Sequence, residues 1–297
     1  MNVRGYRNSD LESLYQFWTS VGEEIPYFFP VSVERWRACL LEDTLEGQAL
    51  FRTLQTDLAT RNGQVLGFVQ YGEPSFAWDE RGERYEDPQI GVVRQLYFAE
   101  GRDDVGEALL GRAQSSLARF EQTHAFYHIL GMSCTARHGK LHQSQGHVHG
   151  LLQRRGLRVE YENVYLVLDM LAAQPKEGSP GRLQNVDGSR GERFEMWRGG
   201  EVVATARVGY LDRLTEGRTS DTVYLYWIGV VPPLRGQGIG GQFLMLLAAW
   251  LVTKGYRYLH TDTARKNVGA QRFYKTLGFV RAGVTRSYMR SRGSAGA

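Results

Sequence analysis

The chain has 297 residues, 42% hydrophobic, 12% aromatic and 23% charged, which suits two domains with their own cores and excludes a fibrous or disordered chain. The net charge of +4 comes without any dense run of lysine or arginine, so neither a nucleic-acid partner nor a membrane surface is expected. Two distant cysteines, Cys39 and Cys134, exclude a disulfide framework, and with a polar N-terminus and no long apolar segment they predict a soluble, cytoplasmic protein.

In chain order, a short strand is predicted over 3–7, then a helix capped by Ser9-Asp10 whose apolar stripe is Leu11, Leu14, Tyr15 and Trp18. A second helix follows Ser32 over 33–42. Strands over 53–60 and 64–71 are joined by Asn62-Gly63, a strong hairpin turn. After a polar loop over 72–88 come a strand at 91–98, a helix at 105–122, a strand near 126–134, a helix near 148–155 and a strand at 164–170. Residues 171–191 are rich in Gly, Pro, Ser and polar residues and read as a linker. A hairpin over 192–208 then turns at Gly199-Gly200. A last strand or hairpin is expected over 280–289, and a frayed tail beyond it.

The most informative stretch is 224–254. Residues 224–230 are aromatic and β-branched and read as a strand, which Pro232 and Pro233 end; from Ile239 the apolar residues recur at helical spacing. Between them lie Gly236, Gly238, Gly240 and Gly241. Glycines let the backbone approach a ligand, and the first amides of a helix are unpaired donors at the positive end of its dipole. The turn is therefore an anion site, with Arg235 as a charge at its lip. No Lys-Ser/Thr pair follows it and no acidic residue is placed for a ribose, so the phosphate-loop and dinucleotide readings fail.

Arg235-Gly236-Gln237-Gly238-Ile239-Gly240 resembles the pyrophosphate loop of the Gcn5-related N-acetyltransferases (GNAT), and the segment 267–279, with Asn267, Ala270, Phe273, Tyr274, Gly278 and Phe279, resembles that family's later helix. The resemblance implies an α/β (α+β) fold in which a mixed, mostly antiparallel sheet is flanked by helices. The element order of the first half is similar, so two tandem GNAT-type domains are expected: 1–170, a linker over 171–191, and 192–297. Such a tandem form resembles the mycothiol synthases in architecture. In the first half Asp103 stands where Arg235 does, Gln145 where Asn267 does and Leu152 where Tyr274 does. An aspartate repels a pyrophosphate and leucine has no proton to give, so this half reads as degenerate.

What the resemblance implies for the second half is an acetyl-CoA-dependent N-acetyltransferase acting on the amine of a small molecule or peptide. Val230 would offer its backbone N–H to the thioester carbonyl from a strand bulge, Arg235, Gly236, Gln237, Gly238, Ile239 and Gly240 would hold the pyrophosphate, and Asn267 would cap its helix and face the pantetheine arm. Tyr274 would protonate the leaving thiolate; the alternative is a core tyrosine between Phe273 and Leu277. Asp262 is the first candidate base and His260 the second, on one strand face with Tyr258; a structural hydrogen-bonded pair, Glu195 and water remain open. Tyr224, Tyr226 and Trp227 suggest a closed pocket and a short acyl group. A longer acyl-CoA donor, or a non-catalytic acyl-CoA sensor, is the competing reading. The acceptor site would be built from the linker, 211–222 and the first domain. His138, His142, His147 and His149 have no carboxylate or cysteine at ligand spacing, so no metal is expected and a solvated loop is. A monomer or homodimer is expected.

Overall fold

The computed structural model describes residues 1–29, 31–45, 47–78, 84–86, 88–128, 130–172, 182–188, 191–211 and 221–292. The acceptor segment expected at 211–222 thus falls largely outside the described residues. The chain divides into two compact units, one of Met1–Glu162 with Thr285–Ala297 and one of Asn163–Val284. Residues 163–170, expected in the first domain, lie in the second unit, and 285–297, expected in the second, lie in the first.

In the first unit, β1 (Asn2–Gly5) precedes α1 (Leu11–Gly22) and α2 (Val33–Leu41), which Ser32 caps by accepting from the Arg35 amide at 3.2 Å. Two short strands, β2 (Thr44–Leu45) and β3 (Gln48–Ala49), lead to the long hairpin of β4 (Phe51–Arg61) and β5 (Gln64–Pro74). Its turn has Asn62 at φ 50° and Gly63 at φ 80°, the two positive angles that keep hairpin strands twisted together. Then come β6 (Phe76–Trp78) paired with β7 (Arg84–Glu86), β8 (Ile90–Phe98), α3 (Asp103–Ser116), β9 (Gln122–Ala125), β10 (Leu141–His142) and α4 (Gly146–Arg154). The sheet runs β1-β4-β5-β8-β9, β8 and β9 being parallel, and the end of the chain's last strand pairs with β9 from Tyr288 to Ser291. β9 comes earlier than the strand expected near 126–134 because Phe126 sits at φ 55°, outside the strand region.

The second unit opens within β11 (Arg158–Asp169), followed by β12 (Arg182–Gly188), β13 (Gly191–Arg198), β14 (Glu201–Tyr210), β15 (Thr222–Val230), α5 (Ile239–Thr253), β16 (Tyr258–Ala264), α6 (Val268–Thr276) and β17 (Val280–Ser291). Its sheet order is β11-β16-β15-β14-β13-β12, antiparallel except between β15 and β16. β12 corrects the linker: part of that polar segment is an edge strand, where both faces of a residue can meet water and apolar alternation is not required. Between Asn163 and α5 the described residues hold no helix beyond one 3₁₀ turn, Pro232–Leu234.

One face of this sheet is apolar. Phe194, Met196, Ala204, Ala206, Val208, Val223, Leu225 and Leu259 pack against Phe243, Leu247 and Leu251 of α5. Those residues alternate along each strand and recur at helical spacing in α5, so strand and helix periods meet in one core.

Candidate functional site

β15 and β16 run parallel for three pairs only, Thr222 with Tyr258, Val223 with Leu259 and Tyr224 with His260. Beyond them the register ends. At the fork the Thr261 hydroxyl donates to the Leu225 carbonyl at 2.9 Å, and past that point the edge of β15 has lost its β16 ladder. β15 stops at the prolines, and Gly236 at φ 78° and Gly238 at φ 77° swing the chain into α5. Both angles are left-handed and favour glycine, and a methyl group at either position would meet nothing within 4 Å. The space above the turn is open. Gly238 caps α5 without a side-chain hydrogen bond, so the first amides of that helix have no side-chain cap. Arg235 stands at the lip, its Nε donating to the Val230 carbonyl at 3.0 Å, and Gln237 reaches back to Pro233 at 3.3 Å. The strand irregularity lies at Tyr226, between the Arg207–Trp227 and Val208–Leu225 pairs, rather than at Val230.

Asn267 accepts from the Ala270 amide at 3.0 Å and so caps α6. α6 brings Tyr274 beneath the fork. Its ring lies 5.2 Å from Phe273 and 5.0 Å from Phe279, and the residue is buried. Burial raises its pKa above the usual tyrosine value, a hydrogen bond with Thr261 works against that, and Asp262 adds to it. The phenol is therefore neutral at pH 7, part of the core and in touch with the fork at once.

His260 and Asp262 point to the other face of β16, away from α5. Asp262 accepts from the Tyr224 hydroxyl at 3.1 Å and from Asn163 Nδ2 at 2.5 Å. His260 Nδ1 shares a 3.1 Å hydrogen bond with the Tyr165 hydroxyl, and burial lowers its pKa to about 4. Burial, then the Asp262 charge, pushes the Tyr165 and Tyr224 hydroxyls well up. Asn163 and Tyr165 were not expected here; their alternation along β11 opposite β16 was the available signal, but only the register matches Tyr165 with Asp262. Glu195 is buried and held by Arg193 at 2.7 Å. Tyr224 is buried, but Tyr226 and Trp227 are 45% and 53% exposed, so these three do not form the closed pocket expected of them.

In the first unit the matching elements are arranged differently. Asp103 pairs with Arg154 at 2.8 Å, and Asp104 accepts from Arg102 Nε at 2.9 Å and Nη2 at 2.8 Å, the Arg102 hydrogen bond lowering its pKa. His147 Nε2 lies 2.9 Å from the Phe98 carbonyl and its ring stands edge-on to Phe98. Leu152 is fully buried. The histidine stretch is not a solvated loop: His138 and His142 are buried, His142 bonds Ser144 and His149 bonds Tyr288. Among the described residues no cluster of metal-ligating side chains forms.

Residues 165–279 match the acetyltransferase (GNAT) family, and a tandem GNAT protein from the clavulanic acid biosynthesis pathway aligns over 99% of both chains with a TM-score of 0.66 at 13% identity. Residues 165–279 thus match the GNAT family, and the chain as a whole shares the tandem GNAT fold. Other structures with this GNAT fold include the GCN5-related glucosamine N-acetyltransferase region of a fungal multi-domain GH3 beta-N-acetylglucosaminidase, with a TM-score of 0.68 and 12% identity over 97% of this chain and 38% of that one. Among curated proteins, aminoglycoside N(6')-acetyltransferase type 1 of Salmonella typhimurium is 33% identical over 61 residues, 20% of this chain. The match spans 42% of that relative's length.

Proposed function

We propose that the second unit transfers an acetyl group from acetyl-CoA to the primary amine of a small molecule by direct attack. The observation that carries this reading is the left-handed turn at Gly236 and Gly238, which aims the uncapped amides of α5 into open space where β15 and β16 part. An anionic pyrophosphate matches those amides. Gly236, Gln237, Gly238, Ile239 and Gly240 would hold it, with Arg235 at the lip and Asn267 beside the pantetheine arm. Acetyl-CoA supplies an activated thioester; Val230 and its neighbours on the unpaired edge of β15 supply backbone donors to the carbonyl.

The acceptor nitrogen attacks the thioester carbon, so a C–N bond forms and the C–S bond breaks. Tyr274, neutral and at the fork, gives its proton to the departing thiolate. The proton lost by the amine goes to Asp262, on the opposite face of β16, and returns to solvent; Tyr274 recovers its own from water. His260 is the weaker candidate, since burial lowers its proton affinity to a pKa of about 4 and Nδ1 is already engaged by Tyr165. The aminoglycoside-acetylating relative supports an amine on a small molecule as the acceptor.

Calorimetric titration of acetyl-CoA into the intact chain and into an Arg235→Glu, Gly238→Trp variant tests the site, with thiol release in the presence of amines testing turnover. Binding lost in the variant, and thiol release that needs an amine, are expected. No binding to the intact chain would sink the transferase reading, and binding without turnover for any amine would leave a sensor.

A further inference from the structure

The irregularity in β15 re-aims two aromatic side chains. Leu225 is buried in the α5 core, and Ile228 and Val230 pack against that core as well. In a regular strand Trp227 would share the face of Leu225, and Ile228 and Val230 would lie on the other. With Tyr226 as the extra residue between the Val208–Leu225 and Arg207–Trp227 pairs, both Tyr226 and Trp227 stand on the face opposite Leu225, the use to which a bulge beside a site is suited. The two rings are supported by glycines. A methyl group at Gly209 would meet the Tyr226 ring at 2.6 Å, and one at Gly229 would meet the Trp227 indole at 2.5 Å. The Tyr226 ring thus lies over Gly209 of β14 and the Trp227 indole over Gly229 of β15. Tyr226 is 5.0 Å from the Tyr224 ring, whose hydroxyl reaches Asp262 at 3.1 Å. Arg207, exposed, pairs across the strand with Trp227, and Thr205 pairs with Gly229.

We propose that Tyr226 and Trp227 are the acceptor platform of the transferase site, and that the acceptor is an amine carried on a saturated, hydroxylated ring, an aminated sugar or aminocyclitol. The proposal rests on the transferase reading above. An aromatic face is electron-rich and attracts cations and the weakly positive C–H groups of a ring lying on it. A protonated amine at the ring's edge is drawn toward the carboxylate of Asp262, and hydroxyls on its rim meet the donors of Arg207 and Thr205. An extended polyamine lacks a flat face to lay on the rings, and its several charges would be repelled by Arg207. An aryl amine would use the rings but not the polar rim.

The experiment measures acetyl-CoA-dependent thiol release by the intact chain with D-glucosamine, 2-deoxystreptamine, spermidine, tyramine and an alanine-led tetrapeptide, then repeats it with Trp227→Ala and Trp227→Phe. Turnover with at least one ring amine in preference to the others is expected. Trp227→Ala should raise the KM for that amine about ten-fold, a typical cost of a lost aromatic contact, with acetyl-CoA affinity by calorimetry unchanged, and Trp227→Phe should restore most of the loss. Turnover with neither ring amine, preference for spermidine, tyramine or the peptide, or a ring-amine KM indifferent to Trp227→Ala overturns the platform while acetyl-CoA binding still supports the transferase. Failure of the intact chain to bind acetyl-CoA removes both.

Discussion

Tyr274 is a core residue by its packing and the acid of the proposed mechanism, and the two roles separate in one substitution. Tyr274→Phe keeps the ring between Phe273 and Phe279 and deletes only the hydroxyl at Thr261. Turnover should fall by roughly 10²–10⁴-fold, the range of a lost general acid, while acetyl-CoA affinity by calorimetry stays close to that of the parent. Equal turnover would reduce Tyr274 to a core residue. His260 gives a prediction of a different kind. Its pKa is lowered to about 4 by burial, so the unfolded chain binds the proton first as pH falls, and stability drops between the ordinary histidine value near 6.5 and about 4. Above that window the neutral imidazole carries no penalty, and across it the loss of stability amounts to about 3 kcal/mol. Denaturant midpoints measured at several pH values should lose stability faster on acidification in the parent than in His260→Gln; parallel curves would contradict the buried, neutral imidazole.

At the scale of elements, the glycine turn was legible because its signals are chemical: prolines end β15, Gly236 and Gly238 take angles other residues avoid, and the apolar period changes at Ile239. The same kind of signal marked Asn62-Gly63 and the Asn267 cap. The strand β12 was not legible, since an edge strand carries no apolar alternation, and neither was the bulge at Tyr226, which exists only relative to β14. The Tyr165–His260 and Asn163–Asp262 contacts were hidden for the same reason, because they depend on the register between β11 and β16. The glycines of the turn are also unequal, which makes them testable. Gly238→Ala places a side chain at a left-handed angle costing about 1–2 kcal/mol and should weaken acetyl-CoA binding about ten-fold. Gly241→Ala meets only the end of Leu277, at 3.4 Å, inside α5, and should raise the melting temperature through the roughly 1 kcal/mol helix preference of alanine with little change in binding. Equal effects of the two on acetyl-CoA affinity would mean that the left-handed turn is not what the cofactor requires.

At the scale of the whole molecule the question is how many cofactor sites a tandem chain carries. The two units repeat the same sequence of strand, helix, strand and helix, and the first carries different side chains at positions that the proposed mechanism uses in the second. Two aspartates stand at the start of α3, each held by an arginine, so the helix dipole there is already answered by the protein's own carboxylates. At the place equivalent to Val230, the Phe98 carbonyl is engaged by His147, whose position on α4 corresponds to Gly269 on α6. His147 ties α4 to β8 where the second unit has Gly269 on α6, and Leu152 in place of Tyr274 has no proton to offer a leaving thiolate. Three independent changes all act in one direction. Titration of acetyl-CoA into the intact chain should therefore give one site per chain. Asp103→Arg should leave the stoichiometry at one, because relieving the charge does not remove His147, and Asp103→Arg, His147→Gly should still show no thiol release from the first unit when Tyr274→Phe silences the second. A stoichiometry of two in the parent chain would show that the arginine-held carboxylates and His147 give way to the cofactor, and would make the first unit a binding domain that has lost only its acid.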